Sequence, residues 1–321
     1  MRILLLGASG LLGHNVLKLL VEQHHQVTCL LRRPIKFPFP TPEVLFLEGS
    51  PLVEDELQRA ANKCEAIINC AGITDMSLLH QEDYFPINRD LCHHIVQLME
   101  ASEKIHSFVQ VSTANTIGFG TSEMSAREES PMQEPFLSSF YALSKRAGEE
   151  YIQEAAKRLP KKHFVIINPG FMVGPYDLKP SSGKLLIAAY RLPLMAAPKG
   201  GKSFVPVTDV AAAVVAALSH GRSGCRYLVT GDNLSLRQFY QLQAQVCKYQ
   251  QKVISLPNSL ALIGGKIGDL LRTFGIRTQL STRNVRQLLV REYYDDLSAQ
   301  EELGIKHSSL AEAIRSFYAE R

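Results

Sequence analysis

No two cysteines in this chain are spaced Cys-x-x-Cys, and no apolar run is long. The six cysteines, at positions 29, 64, 70, 92, 225 and 247, are scattered through 321 residues. Several sit in aliphatic surroundings, as in VTCLL and IINCAG, so buried reduced thiols are expected rather than a disulfide framework. The stretch VAAAVVAAL is too short to cross a bilayer. The opening MRILLLG carries one basic residue, but its apolar run stops at once in a Gly-Ala-Ser-Gly turn, too soon for an export signal. Nor does one charge dominate. The 35 basic and 31 acidic residues leave a net +4, too mild to call for nucleic acid or a membrane as partner. There is no internal repeat and no low-complexity tract. What remains is a soluble, cytoplasmic protein of ordinary composition, long enough for one large α/β domain or two unequal lobes.

Short aliphatic runs alternate with helical patterns over the first two-thirds. RILLLGA, QVTCLLR, EVLFLEG, AIINCAG, FVQVST and FVIINPG each read as a strand buried on both faces. Helix-length segments lie between them, among them Leu11 to Glu22, Glu54 to Asn62 and Ile87 to Glu103. Strand and helix alternating in this way predict an α/β fold, a doubly wound parallel sheet with helices on both faces. Two loops interrupt it, RPIKFPFPTP and GFGTSEMSAREESPMQEP. From Gly174 the alternation lapses, and after RYLVTG the tail reads as mostly helical with no further strand pairs. Residues 1–174 and 203–232 are therefore assigned to a nucleotide-binding part. Residues 175–202 and 233–321 form a smaller, mainly helical substrate lobe.

The first strand runs into Gly7, Gly10 and Gly13 and then an amphipathic helix. The first glycine permits a tight turn, the second lets backbone approach a pyrophosphate, and the third allows close helix–strand packing. The backbone from Ser9 through Leu11 and Leu12 then offers N–H groups and a partial positive charge to phosphates. An acid about 20 residues further on usually marks NAD binding. Here LLRRPIK supplies Arg32, Arg33 and Lys36 and no acid, and a guanidinium fork suits a ribose 2′-phosphate. NADP(H) is favoured, with NAD left open.

Further along, Cys70, Ala71 and Gly72 end the fourth strand in small residues that leave room for a cofactor. VSTANTIG then brings Ser112, Thr113 and Thr116 to a carboxyl edge of the sheet, where ligands bind in such folds. SSFYALSKRAGEEY sets Tyr141 one helical turn ahead of Lys145. A Tyr-x-x-x-Lys match is weak by itself; the order of all these features is not. Together they resemble the extended short-chain dehydrogenase/reductase family, over essentially the whole chain. INPGFMVGPYD, FVPVTDVAAAVVAAL, GCRYLVTGDNLSLRQF and YYDDLSAQEELGI look like its dihydroflavonol-reductase and 3β-hydroxysteroid-dehydrogenase-like branch.

The resemblance implies a Rossmann sheet and a set of roles. Tyr141 would exchange a proton with a carbonyl oxygen. Lys145 would hold the nicotinamide ribose and, with the oxidised ring, lower the tyrosine's pKa. Thr113, rather than Ser112, would position the substrate oxygen. Asn88 would give structural or proton-relay support, and Pro169 and Gly170 would meet the carboxamide. Two positions depart from family habit: Gly49-Ser50 stands where Gly-Asp is common, and Asn168 where sugar epimerases often carry Arg. Asp209 is read as a helix cap, and the doublets His24-His25 and His93-His94 as surface residues, with no metal site. The expected activity is NADP(H)-dependent interconversion of a ketone or aldehyde with an alcohol. The alternatives are a nucleotide-sugar epimerase or dehydratase, and a non-catalytic NADP sensor. Substrate is expected between residues 119–136 and 175–202, where Tyr176, Leu185, Tyr190 and Met195 could contact it or pack the lobe. A homodimer is common among such proteins.

Overall fold

The structure is a computed structural model, and it describes residues 1–178 and 180–320. The aliphatic runs form β1 (Arg2–Leu6), β2 (Gln26–Leu31), β3 (Val44–Glu48), β4 (Ala66–Asn69), β5 (Ser107–Val111) and β6 (His163–Pro169). Shorter strands follow: β7 (Phe171–Val173), β8 (Leu194–Ala197), β9 (Gly201–Pro206), β10 (Arg226–Val229), β11 (Asp232–Ser235), β12 (Lys252–Ser255) and β13 (Arg291–Glu292). The helices flanking the main sheet are α1 (Leu11–Glu22), α2 (Glu54–Ala61), α3 (Leu91–Ala101) and α4 (Phe140–Arg158). After α5 (Lys184–Ala189) and α6 (Val207–Ala216) come α7 (Leu236–Val246), α8 (Asn258–Thr273), α9 (Thr282–Gln287), α10 (Leu297–Leu303) and α11 (Leu310–Ala319).

One parallel sheet runs in the order β10-β6-β5-β4-β1-β2-β3. Successive side chains of a strand point to opposite faces, and here both faces are apolar. Ile3 and Leu5 join the core beneath α1, α6 and α10, while Leu4 and Leu6 join that beneath α2, α3 and α4. The order reverses between β1 and β4, which opens a crevice at their carboxyl ends. The doubly wound α/β expectation thus holds.

Three local expectations fail. β3 lies at the sheet's edge, so Leu45 and Phe46 are exposed rather than buried on both faces. The helix predicted from Ile87 begins regularly only at Leu91, after a wider π turn over Pro86–Asp90. The tail also contains strand pairs: β11, β9, β13 and β7 make a second sheet, and β12 pairs with β8. With two to four residues each, β11, β12 and β13 show no period that sequence could reveal. The second sheet pairs Phe171 of β7 with Phe204 of β9, so it draws on stretches assigned mostly to the nucleotide-binding part. Phe204 stacks on Phe239 of α7 at 3.9 Å, at the centre of the smaller core. Among the described residues no helix is long and apolar enough to cross a membrane.

Candidate active site

The crevice between β1 and β4 depends on missing side chains. A Cβ at Gly7, where φ is +78°, would stand 2.5 Å from the Ala71 nitrogen, and one at Gly13 would stand 2.1 Å from the Gly7 carbonyl. Only glycine fits these two positions. A Cβ at Gly10 would meet nothing nearer than 3.5 Å, so the turn is open on that side. Gly10 caps α1 without a side-chain hydrogen bond, and the first turn holds no acid. Exposed Ser9 and the amides of Leu11, Leu12 and Gly13 therefore form a cradle that suits a pyrophosphate. Arg32 and Arg33 follow β2, exposed and without an ion pair among the described residues. Cys70, Ala71 and Gly72 lie across the crevice, where the Cys70 thiol is pushed up to about 12 by burial. These residues fit a dinucleotide.

Ser139 caps α4, accepting from the Ala142 amide at 3.4 Å, and places Tyr141 in the first turn. Residues 141, 145 and 149 then share one face. Thr113, in extended backbone just past β5, turns its hydroxyl to the Tyr141 phenol. Its neighbour Ser112 instead donates to Glu149. Lys145 is buried, its Nζ donating to the Val111 carbonyl at 3.0 Å and lying close under Gly72.

The structure thus brings Tyr141, Thr113 and Lys145 together at the sheet edge, but the electrostatics differ from the expectation. Burial pushes the Tyr141 phenol up to about 12, against the pull of Thr113, with Tyr84 and Glu149 raising it further. Burial also lowers Lys145, with Cys92, Glu149 and Cys70 acting in opposition. In the chain alone, then, the lysine does not bring the tyrosine down. Its ammonium is turned to a backbone carbonyl.

Asn88 is buried in the π turn. It donates to the Ile73 carbonyl and to Ser144 Oγ, both at 3.0 Å, and accepts from the Ile73 amide at 2.9 Å. It ties the loop after β4 to α4. Pro169 closes β6 rather than following it, and the Gly170 amide is already committed to the Val229 carbonyl at 3.0 Å. Asp209 does not cap its helix, since Pro206 holds that position; it accepts from the Ser308 amide at 2.8 Å and fastens the tail. His24 and His93 are exposed, His25 and His94 half-buried. Among the described residues no group of three or more His, Cys, Asp or Glu could hold a metal.

The expected substrate cleft is rearranged too. The loop after β5 is pinned to the tail by bridges from Gly120 to Tyr293 and from Ala126 to Tyr294, and by the Arg127–Asp295 ion pair at 2.8 Å. It borders a cavity of about 990 Å³ with Tyr294, Asp296 and His307, and none of the described residues of 175–202 lines that space. Tyr190 stacks on Tyr318 at 4.5 Å, Leu185 and Met195 join the smaller core, and Tyr176 lies against His14 and Phe39. All four are packing residues. Tyr141 instead has Tyr84 as its ring neighbour at 6.5 Å, and Arg283 of α9 covers the adjoining Phe140.

Sequence reasoning missed Glu149. Fully buried, it accepts from Ser112, from Thr116 Oγ1 at 2.7 Å and from Asn168 Nδ2 at 2.7 Å, with Arg226 3.7 Å away. Its spacing of four from Lys145 was the available signal. Burial raises its carboxyl pKa, opposed by Ser112, then Arg226, Thr116 and Asn168. The folded chain therefore holds this proton more tightly than the unfolded chain. The resulting stability is present below the ordinary carboxylate range and is lost as pH rises through the folded value. Wild-type stability relative to Glu149→Gln is expected to fall in urea titrations as pH rises above the ordinary carboxylate range, and a difference that rises with pH would contradict this.

Residues 3–229 match the family model described as the NAD dependent epimerase/dehydratase family. A putative dihydroflavonol 4-reductase of Synechocystis sp. is 25% identical over 320 residues, covering 96% of this chain and 91% of that protein. The sterol demethylase protein B of Methylococcus capsulatus is 25% identical over 331 residues, covering 98% and 96%. Among solved structures, a UDP-glucose 4-epimerase of Thermotoga maritima, determined with UDP-glucose, superposes with a TM-score of 0.79. Its identity is 18%, over 100% of this chain and 98% of that one.

Proposed function

Because the chain belongs to the NAD dependent epimerase/dehydratase family, and so is an NAD(P)-dependent enzyme, we propose that it is an NADP(H)-dependent oxidoreductase of the dihydroflavonol-reductase-like kind. It interconverts a ketone or aldehyde with an alcohol. The observation that carries this reading is Tyr141 facing Thr113, with Lys145 one turn on, beside the cradle at Gly7 and Gly72. When bound, the nicotinamide cofactor supplies or takes up the hydride. Ser9 through Gly13 bind its phosphates, and Arg32 and Arg33 the 2′-phosphate. Lys145 holds the ribose.

In reduction, Thr113 orients the carbonyl oxygen and Tyr141 delivers its proton there, leaving a tyrosinate beside the lysine. A phenol whose pKa is about 12 is fully protonated at neutral pH, which suits an acid. Reduction is therefore expected to be flat through neutrality and to fall only in alkali. Oxidation, which needs the tyrosinate, rises with pH. The runner-up, a nucleotide-sugar epimerase, draws support from the Thermotoga fold match. Against it stands Asn168, which donates to Glu149 and to the Thr113 carbonyl where epimerases often carry Arg.

Tyr141→Phe is expected to lower the reduction rate by about 10²- to 10⁴-fold with NADPH affinity unchanged. Near-normal turnover with a panel of carbonyl substrates would remove Tyr141 from the chemistry. Replacing Arg32 and Arg33 together by Ser is expected to raise the KM for NADPH at least about tenfold and to leave that for NADH alone. Equal effects on both cofactors would reverse the assignment to NADP(H).

A further inference from the structure

The helix α8 is built inside out. Its buried positions are Ala261, Gly265 and Gly268, the smallest side chains it has. A Cβ at Gly268 would stand 1.9 Å from the Leu280 carbonyl and one at Gly265 2.9 Å from Thr282 Cα, so this face lies directly on the backbone leading into α9. The large apolar residues point outward. Leu260, Ile263, Ile267, Leu270 and Phe274 follow one another at three- and four-residue spacing, a continuous stripe. Their exposure runs from 53% at Ile263 to 75% at Phe274. Ile276 and Leu280 extend the patch beyond the helix, also exposed. An ordinary surface helix buries such a stripe.

What covers it is indicated by charge. Residues 252–291 carry seven basic side chains and one acid, Asp269, which accepts from the Thr282 amide. Lys252, Lys266, Arg277, Arg286 and Arg291 are exposed, and none makes an ion pair among the described residues. Lys266 and Arg277 adjoin the stripe residues Ile267 and Ile276, so a two-fold dimer through this face would bring these cations towards their own copies, which is unfavourable. An anionic lipid surface answers both features, since it accepts the stripe among its acyl chains and the cations among its headgroups. A helix of 16 residues is about 24 Å long, enough to lie in the interface but too short to span it.

We propose that α8 and the turn after it dock this protein onto an anionic phospholipid surface. The inference goes beyond the redox reading and does not depend on it. It departs from the expectation, drawn from a net charge of +4, that no membrane is involved: the chain total dilutes one strongly basic segment. The helices α8 and α9 also reach the candidate active site. Arg272 of α8 donates to the Met76 carbonyl at 2.6 Å and Asn284 of α9 to the same oxygen at 2.9 Å, while Arg283 lies 3.4 Å over Phe140, next to Tyr141.

The test is co-sedimentation of the full chain with vesicles of phosphatidylcholine alone and of phosphatidylcholine with phosphatidylglycerol. The protein is expected to pellet with the anionic vesicles, less with the neutral ones, and less again as salt is raised. The combined substitution Ile263→Ser, Ile267→Ser and Phe274→Ser is expected to weaken anionic-vesicle binding by about tenfold or more, with the melting temperature and NADPH binding retained. Lys266→Glu is expected to weaken it to a lesser degree. Wild-type protein that stays in solution with both vesicles overturns the proposal. So does a triple variant that binds normally, or a wild-type dimer in sedimentation velocity that the triple variant converts to monomer.

Discussion

The close approach of the turn after β1 to the end of β4 is the constraint on which the site rests. It exists because Gly7 lacks a Cβ that would stand 2.5 Å from the Ala71 nitrogen, while the missing Cβ of Gly13, which would stand 2.1 Å from the Gly7 carbonyl, lets α1 close onto the same turn. That contact forms the floor of the crevice where the strand order reverses. From it the remaining pieces are placed in sequence. The chain leaving β4 passes Gly72 over Lys145, Asn88 bonds that chain at Ile73 and reaches Ser144, and α4 is thereby set with its 141–145–149 face to the sheet. A side chain larger than hydrogen at Gly7 would push the turn away from the end of β4, and so from Tyr141 and Lys145.

Behind the dyad, Glu149 gathers β5, β6 and β10 through Ser112, Asn168 and Arg226. A carboxyl group in such a place is costly unless it is hydrogen-bonded, and three donors meet it. The arrangement fixes α4 in rotation about its axis as well as in position. It also adds to the upward pressure on Tyr141, favouring the phenol's acid form. Structure and chemistry meet in one residue that lies outside the Tyr-x-x-x-Lys pattern.

Much of this could be read from sequence because the signals were local and repeated. β1, β4 and β6 are largely continuous aliphatic runs and β5 is mostly apolar, and a strand buried on both faces has few other ways to appear. The glycine spacing and the Tyr141–Lys145 spacing are local too. What sequence did not show depended on neighbours. β3 has an aliphatic run like the others, and only its place at the edge exposes Leu45 and Phe46. The π turn that aims Asn88 has no pattern of its own. The period of α8 reveals an amphipathic helix but not that the apolar side faces outward, since that depends on where Gly265 and Gly268 meet the 280–282 backbone.

A reductase transfers a hydride to a carbonyl and leaves the product as an alcohol, which separates it from an epimerase of the same fold. The most direct measurement follows deuterium from NADPH labelled at the transferable position, in a panel of ketones, aldehydes and nucleotide sugars. The proposed reductase places deuterium on the carbinol carbon of an alcohol product, one equivalent for each NADPH consumed. Turnover of a nucleotide sugar with no net consumption of NADPH and no deuterium retained in an alcohol would contradict it.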